Sequence, residues 1–526
     1  MTHRTGAEIG AGLEPARAAR AIRAGERIHV IGAAGAAAAA AALHAHHAGA
    51  DVSGCDAGGP SPYTPPLEDA GIPLAWEHAP SHLTLDGRPH VERVAVTKAL
   101  TAVEADHPEL AAARSLGIPL TSVQQLIADA ARTRDQVLVG LAGTHGKSTT
   151  TGWAVHLMVI AGLDPSAFVG ALLPAALVGG PHRSTVRVGR GAHFLVEADE
   201  YAGNFDPYHP AIGGLTNADW DHPDVFADRE AVVDSFVGWI RGFAGGGEPP
   251  VLVANAGDPG VCEVLAGLRS WSGRLLLVKV VGDETDPAVE RSSLEATHAT
   301  AGGRAATLVG RWRHAAGEGS LELAGLRDRA LATAQLALPG RHNAENGLVA
   351  AGVALAAGAA PEAILEGLAT FPGVGRRLEL TGDVAGVVVL DDYGHHPTAM
   401  AATFAAVRER YPGRRLWAVY EPLTYHRTAA MLDAFAEILE TADRAVVAQI
   451  HAGRDPDTTI TSAAALAGAI AARGATPAWA PGTVEETADW LADRVVPGDV
   501  VLVMGGGRSY VIADRLVAHL RERTRG

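Results

Sequence analysis

Apolar residues fall along the chain in short runs separated by alanine- and leucine-rich stretches of helical spacing. That alternation predicts an α/β protein built on mostly parallel sheets. RIHVIGAAG (27–35) runs from β-rich residues into glycines, an alanine-rich helix follows, and ADVSGCD (50–56) reads as the next strand. RVAVTKAL (93–100) and PELAAARSLGIPL (108–120) continue the pattern, and SVQQLIADAAR (122–132) closes this unit as an amphipathic helix. A second unit opens with DQVLVGLAGTHGKSTTT (135–151), a buried strand entering a glycine loop and a helix through Ala161. HFLVEAD (193–199), AIGGLTNAD (211–219), PVLVAN (250–255) and LLLVKVVG (275–282) predict its further strands, 283–335 reads as shorter strands with polar turns, and 339–358 as a helix. A third unit begins near Arg376, with strands in GVVVLDDYG (386–394), RRLWAVYEP (414–422), RAVVAQI (444–450) and DVVLVMGGG (499–507), and a helix over 429–442.

The length agrees with this division, since 526 residues exceed what one hydrophobic core organises. The expected segments are a loosely ordered arm over 1–25, then domains over 26–134, 135–375 and 376–526. Acidic residues outnumber basic ones, 59 to 43, for a formal charge of −16, which argues against nucleic-acid or anionic-membrane binding. Cys55 and Cys262 are too few for a disulfide framework and fit a cytoplasmic protein. The apolar stretch from Val30 to Leu43 follows several arginines as a signal segment would, but Gly32 and Gly35 break it and His44, His46 and His47 follow. No other stretch approaches the length of a membrane helix, so no membrane insertion is expected.

The strongest chemical signal is Gly143-Thr144-His145-Gly146-Lys147-Ser148-Thr149 between a strand and a helix. Backbone amides of such a loop cradle phosphates, the lysine neutralises the transferred group, and the hydroxyl holds magnesium. Its first glycine lies three residues before Gly146, rather than the five of the general phosphate-loop pattern. Only three of the 43 basic residues are lysines, so Lys147 marks a place where a compact point charge matters. Glu197 to Tyr201 and Asn217 to His222 each follow an apolar strand. Strand ends of a parallel sheet share a crevice, so their carboxylates and imidazole are candidates for holding a cation. In the first unit, Gly32 and Gly35 allow close approach to a phosphate, and Asp56 is placed to accept a ribose hydroxyl.

GTHGKSTTT, EADEY, TNADWDH, PGRHNAEN, GVGRRLE and DDYGHHPT occur in an order and spacing that resemble the Mur ligases across roughly 27–510. The histidine of GTHGK and the double histidine of DDYGHHPT look like the members that join L-alanine to UDP-N-acetylmuramate. The resemblance implies three domains: an N-terminal Rossmann-like one for the uridine-diphosphate substrate, a central P-loop ATPase-type parallel sheet, and a C-terminal Rossmann-like one that closes on it. It implies ATP and Mg2+, with Lys147, Glu197 and His222 catalytic and Ser148, Glu197 and His222 on the metal. His342, Asn343 and Asn346 would contact the nucleotide, and Arg376 or Arg377 together with Asp391 would complete the ATP site. Tyr393, His395 and Arg427 would face the amino acid.

Leu423 and Thr424 depart from the family segment, which carries a His-Arg pair there, and the N-terminal turn lacks some family glycines. Several relatives use a carbamylated lysine about fifteen residues beyond the position of His222. This chain has no lysine between Lys147 and Lys279, so that group is not expected. Three rival readings remain: a recycling ligase that attaches a preformed murein peptide, a phosphate-loop NTPase that forms no bond, and an oxidoreductase suggested by the first βαβ unit.

Overall fold

The computed structural model describes residues 4–524 apart from 105, 316–317, 327–330, 454, 456 and 475. Three large sheets organise it. The first is fully parallel, ordered Leu74–Ala75, Asp51–Cys55, Arg27–Ile31, Arg93–Val96, Leu120–Ser122. The second has ten strands, with the phosphate-loop strand Val137–Ala142 lying between His193–Glu197 and Ile212–Leu215. All three run parallel, so Glu197, the loop and Thr216 emerge at one edge. Ser184–Arg187 flanks this sheet antiparallel on one side; on the other, Ala306–Ala315 joins it parallel and begins an antiparallel meander with Glu318–Ala324 and Ala332–Leu336. The third sheet places Val387–Asp392 and Arg415–Glu421 on either side of Asp499–Gly505, again parallel, with Glu379–Val384 as an antiparallel edge. These findings bear out the expected α/β class.

The alanine run has a packing role. In helix Ala36–His47, Ala38 to Ala42 are completely buried, because the helix lies between the first sheet and the second. His44 Nε2 lies 3.0 Å from the Ala167 carbonyl, and Thr185 donates to the Ala36 carbonyl across this joint. Only small side chains let a helix approach two neighbours this closely, and that explains the lack of an amphipathic pattern. The phosphate-loop helix Lys147–Ile160 is pinned at mid-length by Trp153, which stacks on Phe371 and donates its indole N–H to the Gly367 carbonyl.

Two expectations need correcting. Within 283–335, Pro287–Thr297 is a helix, started by the Asp286 cap and a first-turn proline. Its polar sequence hides a helix with few residues to bury. The arm over 1–25 is not loose over its described part. Arg17 pairs with Asp129 through both guanidinium nitrogens, Arg20 donates its backbone N–H to the same carboxylate, and Ile9 is fully buried. Asp129 also accepts from the buried Arg93, which has Glu26 on its other side at 3.1 Å. Buried guanidinium and carboxylate groups must be paired, so the arm is recruited by charge rather than by apolar periodicity. Replacing Asp129 with alanine should lower the urea stability of this unit by about 3–5 kcal/mol, because it leaves Arg93 short of a buried counter-charge. Far-ultraviolet circular dichroism against urea measures the loss, and an unchanged midpoint would contradict this account.

Candidate active site

The loop between Ala142 and Lys147 turns in a way that only glycine accepts at two points. Gly143 has φ +140, and a Cβ there would lie 2.0 Å from Thr216 Oγ1. Gly146 has φ +76, and its Cβ would meet Asn346 Oδ1 at 2.4 Å. The neighbouring strand braces the loop: Asn217 accepts from the His145 N–H at 2.7 Å and donates to the His145 carbonyl, and Thr144 exchanges hydrogen bonds with the backbone of Asp219. Lys147 then starts the helix with its ammonium 2.8 Å from Glu200 and 3.6 Å from Asp199. Burial by itself would lower the Lys147 pKa, but the facing carboxylates outweigh it and hold the pKa above its ordinary value. Burial raises the Glu200 carboxyl to about 7, whereas on Asp199 the effect of burial is overcome by Lys147 and His222, which leave it lowered.

Ser148 donates to Glu197 at 3.0 Å, and the second oxygen of Glu197 accepts from the Gly170 N–H. His222, in the left-handed region at φ +55, brings Nε2 to 3.8 Å from Glu200. Donor atoms of Asp199, Glu200 and His222 all lie within 4.8 Å of one another. Thus the structure groups His222 with Asp199 and Glu200, and Glu197 with Ser148, around one cavity of about 430 Å³ that all of them except Glu200 line. Carboxylate-rich donors of this kind fit a hard divalent cation.

The third sheet closes the cavity from above. Arg427 is buried and donates to Asp221 at 2.6 Å, with the same nitrogen 3.3 Å from His222 Nδ1. Burial would raise the Asp221 carboxyl, but Arg427 and His222 carry it well below the carboxylate range. Arg377 donates to Ser148, and Thr398 to Asp219. His395 hydrogen-bonds through Nδ1 to the Tyr393 carbonyl, and burial lowers its pKa far enough to keep the ring neutral. Tyr393 sits between the guanidinium groups of Arg376 and Arg377. Tyr393, His395 and Arg427 therefore line the same cavity, together with Leu423.

A neighbouring cavity of about 450 Å³ is lined by His145, Gly146, Thr149, His342, Asn343, Asn346 and Arg377. Burial lowers His342 to about 4, so its ring offers a neutral edge. Asp392, not Asp391, reaches this cavity. Successive strand residues point to opposite faces, and Asp391 lies on the other face, 3.2 Å from Arg376. Arg376 is likewise turned away, onto Ser509 and the carbonyls of Gly505 and Gly507. Of the two arginines expected there, Arg377 lines this cavity and Arg376 does not, and Asp392 lines it in place of Asp391. In the first unit Gly32, at φ +75, makes the turn and Gly35 precedes the helix, while Asp56 accepts from Ala34 N and Gly58 N. That carboxylate holds the turn in shape, and it is Ala36 and Ala37 that reach the cavity. Sequence reasoning also missed Lys98, which lines the cavity and donates to the Ala202 and Gly203 carbonyls. Its rarity, as one of three lysines among so many arginines, is the signal that was available.

Domains that shut over a phosphate loop keep an activated intermediate away from water, and the fold and site define an ATP-using enzyme of that class. The description "Mur ligase family, catalytic domain" matches residues 27–135, and "Mur ligase, glutamate ligase domain" matches 376–507. A UDP-N-acetylmuramate--L-alanine ligase from Nitratidesulfovibrio vulgaris is 34% identical over 421 residues, 80% of this chain and 84% of the relative. Among solved structures, the UDP-N-acetylmuramate-alanine ligase of Thermotoga maritima superposes with a TM-score of 0.72 at 21% identity, covering 95% of this chain and all of that one. A murein peptide ligase from Psychrobacter arcticus reaches 0.67 at 23% identity, covering 94% and 99%. The chain belongs to the Mur ligase family and is an ATP-dependent ligase.

Lys147→Ala should fold normally and lose about 10²–10³-fold or more in kcat, because no other lysine reaches the loop and the charge on the transferred group goes unbalanced. Lys147→Arg should fail too, its planar fork being a poor substitute for a point charge. Turnover retained in a folded Lys147→Ala protein would remove the phosphate-loop assignment. A second expectation concerns pH. Burial raises Asp391 to about 7, against 3.8 for an ordinary aspartate, with Asp392 and Glu379 adding to the shift and Arg376 opposing it. The folded carboxyl therefore holds its proton where the unfolded one has lost it, so its contribution to stability falls as pH rises from 3.8 to about 7. Urea unfolding of Asp391→Asn should show a flatter pH dependence across that window, and an unaltered slope would refute the shift.

Proposed function

We propose that the enzyme joins the amine of L-alanine to the carboxylate of UDP-N-acetylmuramate in the cytoplasm, at the start of peptide assembly for peptidoglycan. Residues 26–134 would bind the uridine-diphosphate substrate, 135–375 the ATP, and 376–526 the amino acid while closing the site. The single observation that carries this reading is the meeting of the phosphate loop, the Asp199–Glu200–His222 group and the side chains of Tyr393, His395 and Leu423 around one cavity. Among the described residues, no helix is long and apolar enough to cross a membrane, and both cysteines are free thiols.

The chemistry follows from where the charges lie. The γ-phosphoryl group of ATP passes to the muramate carboxylate, giving an acyl phosphate, and ADP leaves. Lys147 moves from Glu200 onto the phosphoryl oxygens, while the loop amides hold the β-phosphate. Magnesium, when bound, would add Lewis-acid neutralisation of the same oxygens: Ser148 would hold the ion on the ATP phosphates, and Glu197 and His222 a further one, with Asp199 and Glu200 beside them. Metal ligation through His222 Nε2 puts the proton on Nδ1, so Arg427 would then keep only its bond to Asp221. The alanine amine attacks the acyl carbon, a tetrahedral intermediate forms, and phosphate departs as the amide is made. Closure by Arg377 and Arg427 excludes the water that would hydrolyse the acyl phosphate.

Leu423 packs against Gly506, where a Cβ would lie only 2.7 Å from the leucine side chain, and this narrows the amino-acid end of the cavity. L-alanine should be the preferred acceptor, with glycine and L-serine used more slowly, since pockets separate small side chains by only about 1–3 kcal/mol per methylene. Phosphate release from ATP with UDP-N-acetylmuramate, with single amino acids or the murein tripeptide added, tests this directly. Activity should also be independent of bicarbonate, there being no lysine between Lys147 and Lys279 to carry a carbamate. Faster use of the tripeptide than of L-alanine would favour the recycling reading instead.

A further inference from the structure

A second cluster of metal-ligand side chains lies in the first domain, outside the cavities described above. It is assembled from four separate elements: His29 on strand Arg27–Ile31, Cys55 at the end of strand Asp51–Cys55, His82 in the short helix Pro80–Leu83, and Glu109 in the first turn of helix Pro108–Leu116. One donor atom from each lies within 4.8 Å of every other. We propose that His29, Cys55, His82 and Glu109 form a structural site for a borderline transition-metal dication of the zinc type.

Ligands at about 2.0–2.3 Å from a tetrahedral zinc stand about 3.3–3.8 Å from one another. Cys55 Sγ is 3.3 Å from His29 Nε2 and 3.0 Å from Glu109 Oε2, and His29 Nε2 is 3.9 Å from Glu109 Oε1. His82 Nδ1 is closer, 2.5 Å from Glu109 Oε1, and must open slightly to admit an ion. The donor set of one sulfur, two imidazoles and one carboxylate suits zinc and not magnesium or calcium. Charge points the same way. Glu109 is completely buried and, among the described residues, has no lysine or arginine paired to it, only histidines, the Cys55 thiol and the Ala79 N–H. A dication with one thiolate and one carboxylate leaves the buried centre neutral.

The surroundings hold the ligands in place. His29 Nδ1 is engaged by Ser53 Oγ at 2.9 Å, which directs Nε2 at the sulfur, the outer hydrogen bond that metal-bound histidines ordinarily have. Strand pairing sets His29 beside Ser53 in register. Metal is bound by the thiolate, so binding exchanges the Cys55 thiol proton for the dication; His78, whose Nδ1 is 3.3 Å from the sulfur, links the cluster to solvent. Behind it, His107 is buried edge-on to His78, with neither ring nitrogen hydrogen-bonded among the described residues.

Cobalt(II) titration of the full chain tests the site, with thiols reduced, metal stripped by a chelator, and excess magnesium present to fill oxygen-rich positions. Wild type and Cys262→Ser should bind one cobalt with a thiolate charge-transfer band and tetrahedral d–d bands, and zinc should displace it. Cys55→Ser keeps a donor to Glu109 and should lose the charge-transfer band. Ser53→Ala, which touches only the back of His29, should weaken binding by about 10–100-fold. Zinc K-edge absorption of the Cys262→Ser protein should contain one sulfur scatterer, a readout that does not depend on the Cys55 variant folding. No thiolate band in wild type, a band that disappears with Cys262 rather than Cys55, or a sulfur-free zinc shell would overturn the proposal.

Discussion

A lysine ammonium held in a closed cavity needs counter-charge, and the active site is arranged around that requirement. Lys147 is matched by Glu200 and Asp199, and each carboxylate is in turn supported: Asp199 by Asn204 and by the field of His222, Glu200 by Lys147 itself. Because the carboxylates are themselves buried, without the lysine they would take up protons rather than stay as unpaired charges. The same carboxylates hold Lys147 at the mouth of the loop.

Closure rests on the same electrostatics carried across a domain joint. Arg427, on the helix Tyr425–Ala430, and Asp221, in the loop after strand Ile212–Leu215, are both buried and meet at 2.6 Å. Arg377 reaches Ser148 from the third sheet, while His396 lies 4.5 Å from His145, ring centre to ring centre. These bonds hold the third domain on the second, so the side chains of both line one cavity. A ligase that makes an acyl phosphate needs that coupling, since an open site would hydrolyse its own intermediate.

Much of this was legible in the sequence because the phosphate loop is a local device. Gly143, Gly146, Lys147 and Ser148 act through backbone geometry and a helix terminus, which neighbouring residues specify. The strands also declared themselves through apolar runs, and His342, Asn343 and Asn346 share one helix end that lines the cavity beside the phosphate loop. Asp391 and Asp392 show where local reasoning stops. Alternation says that they face opposite ways, but which face meets the nucleotide depends on how the third sheet is docked.

The sequence by itself determined the parallel α/β character, the phosphate loop and its chemistry, and the family. Tertiary structure alone decided that Arg377 and not Arg376 reaches Ser148, that the arm is clamped through Asp129, that the alanine helix is a two-sided joint, and that His29, Cys55, His82 and Glu109 converge. The physical reason is common to all four. Each depends on pairing buried charge or filling space between segments far apart in the chain, and such distances are set by packing, not by any neighbouring residue.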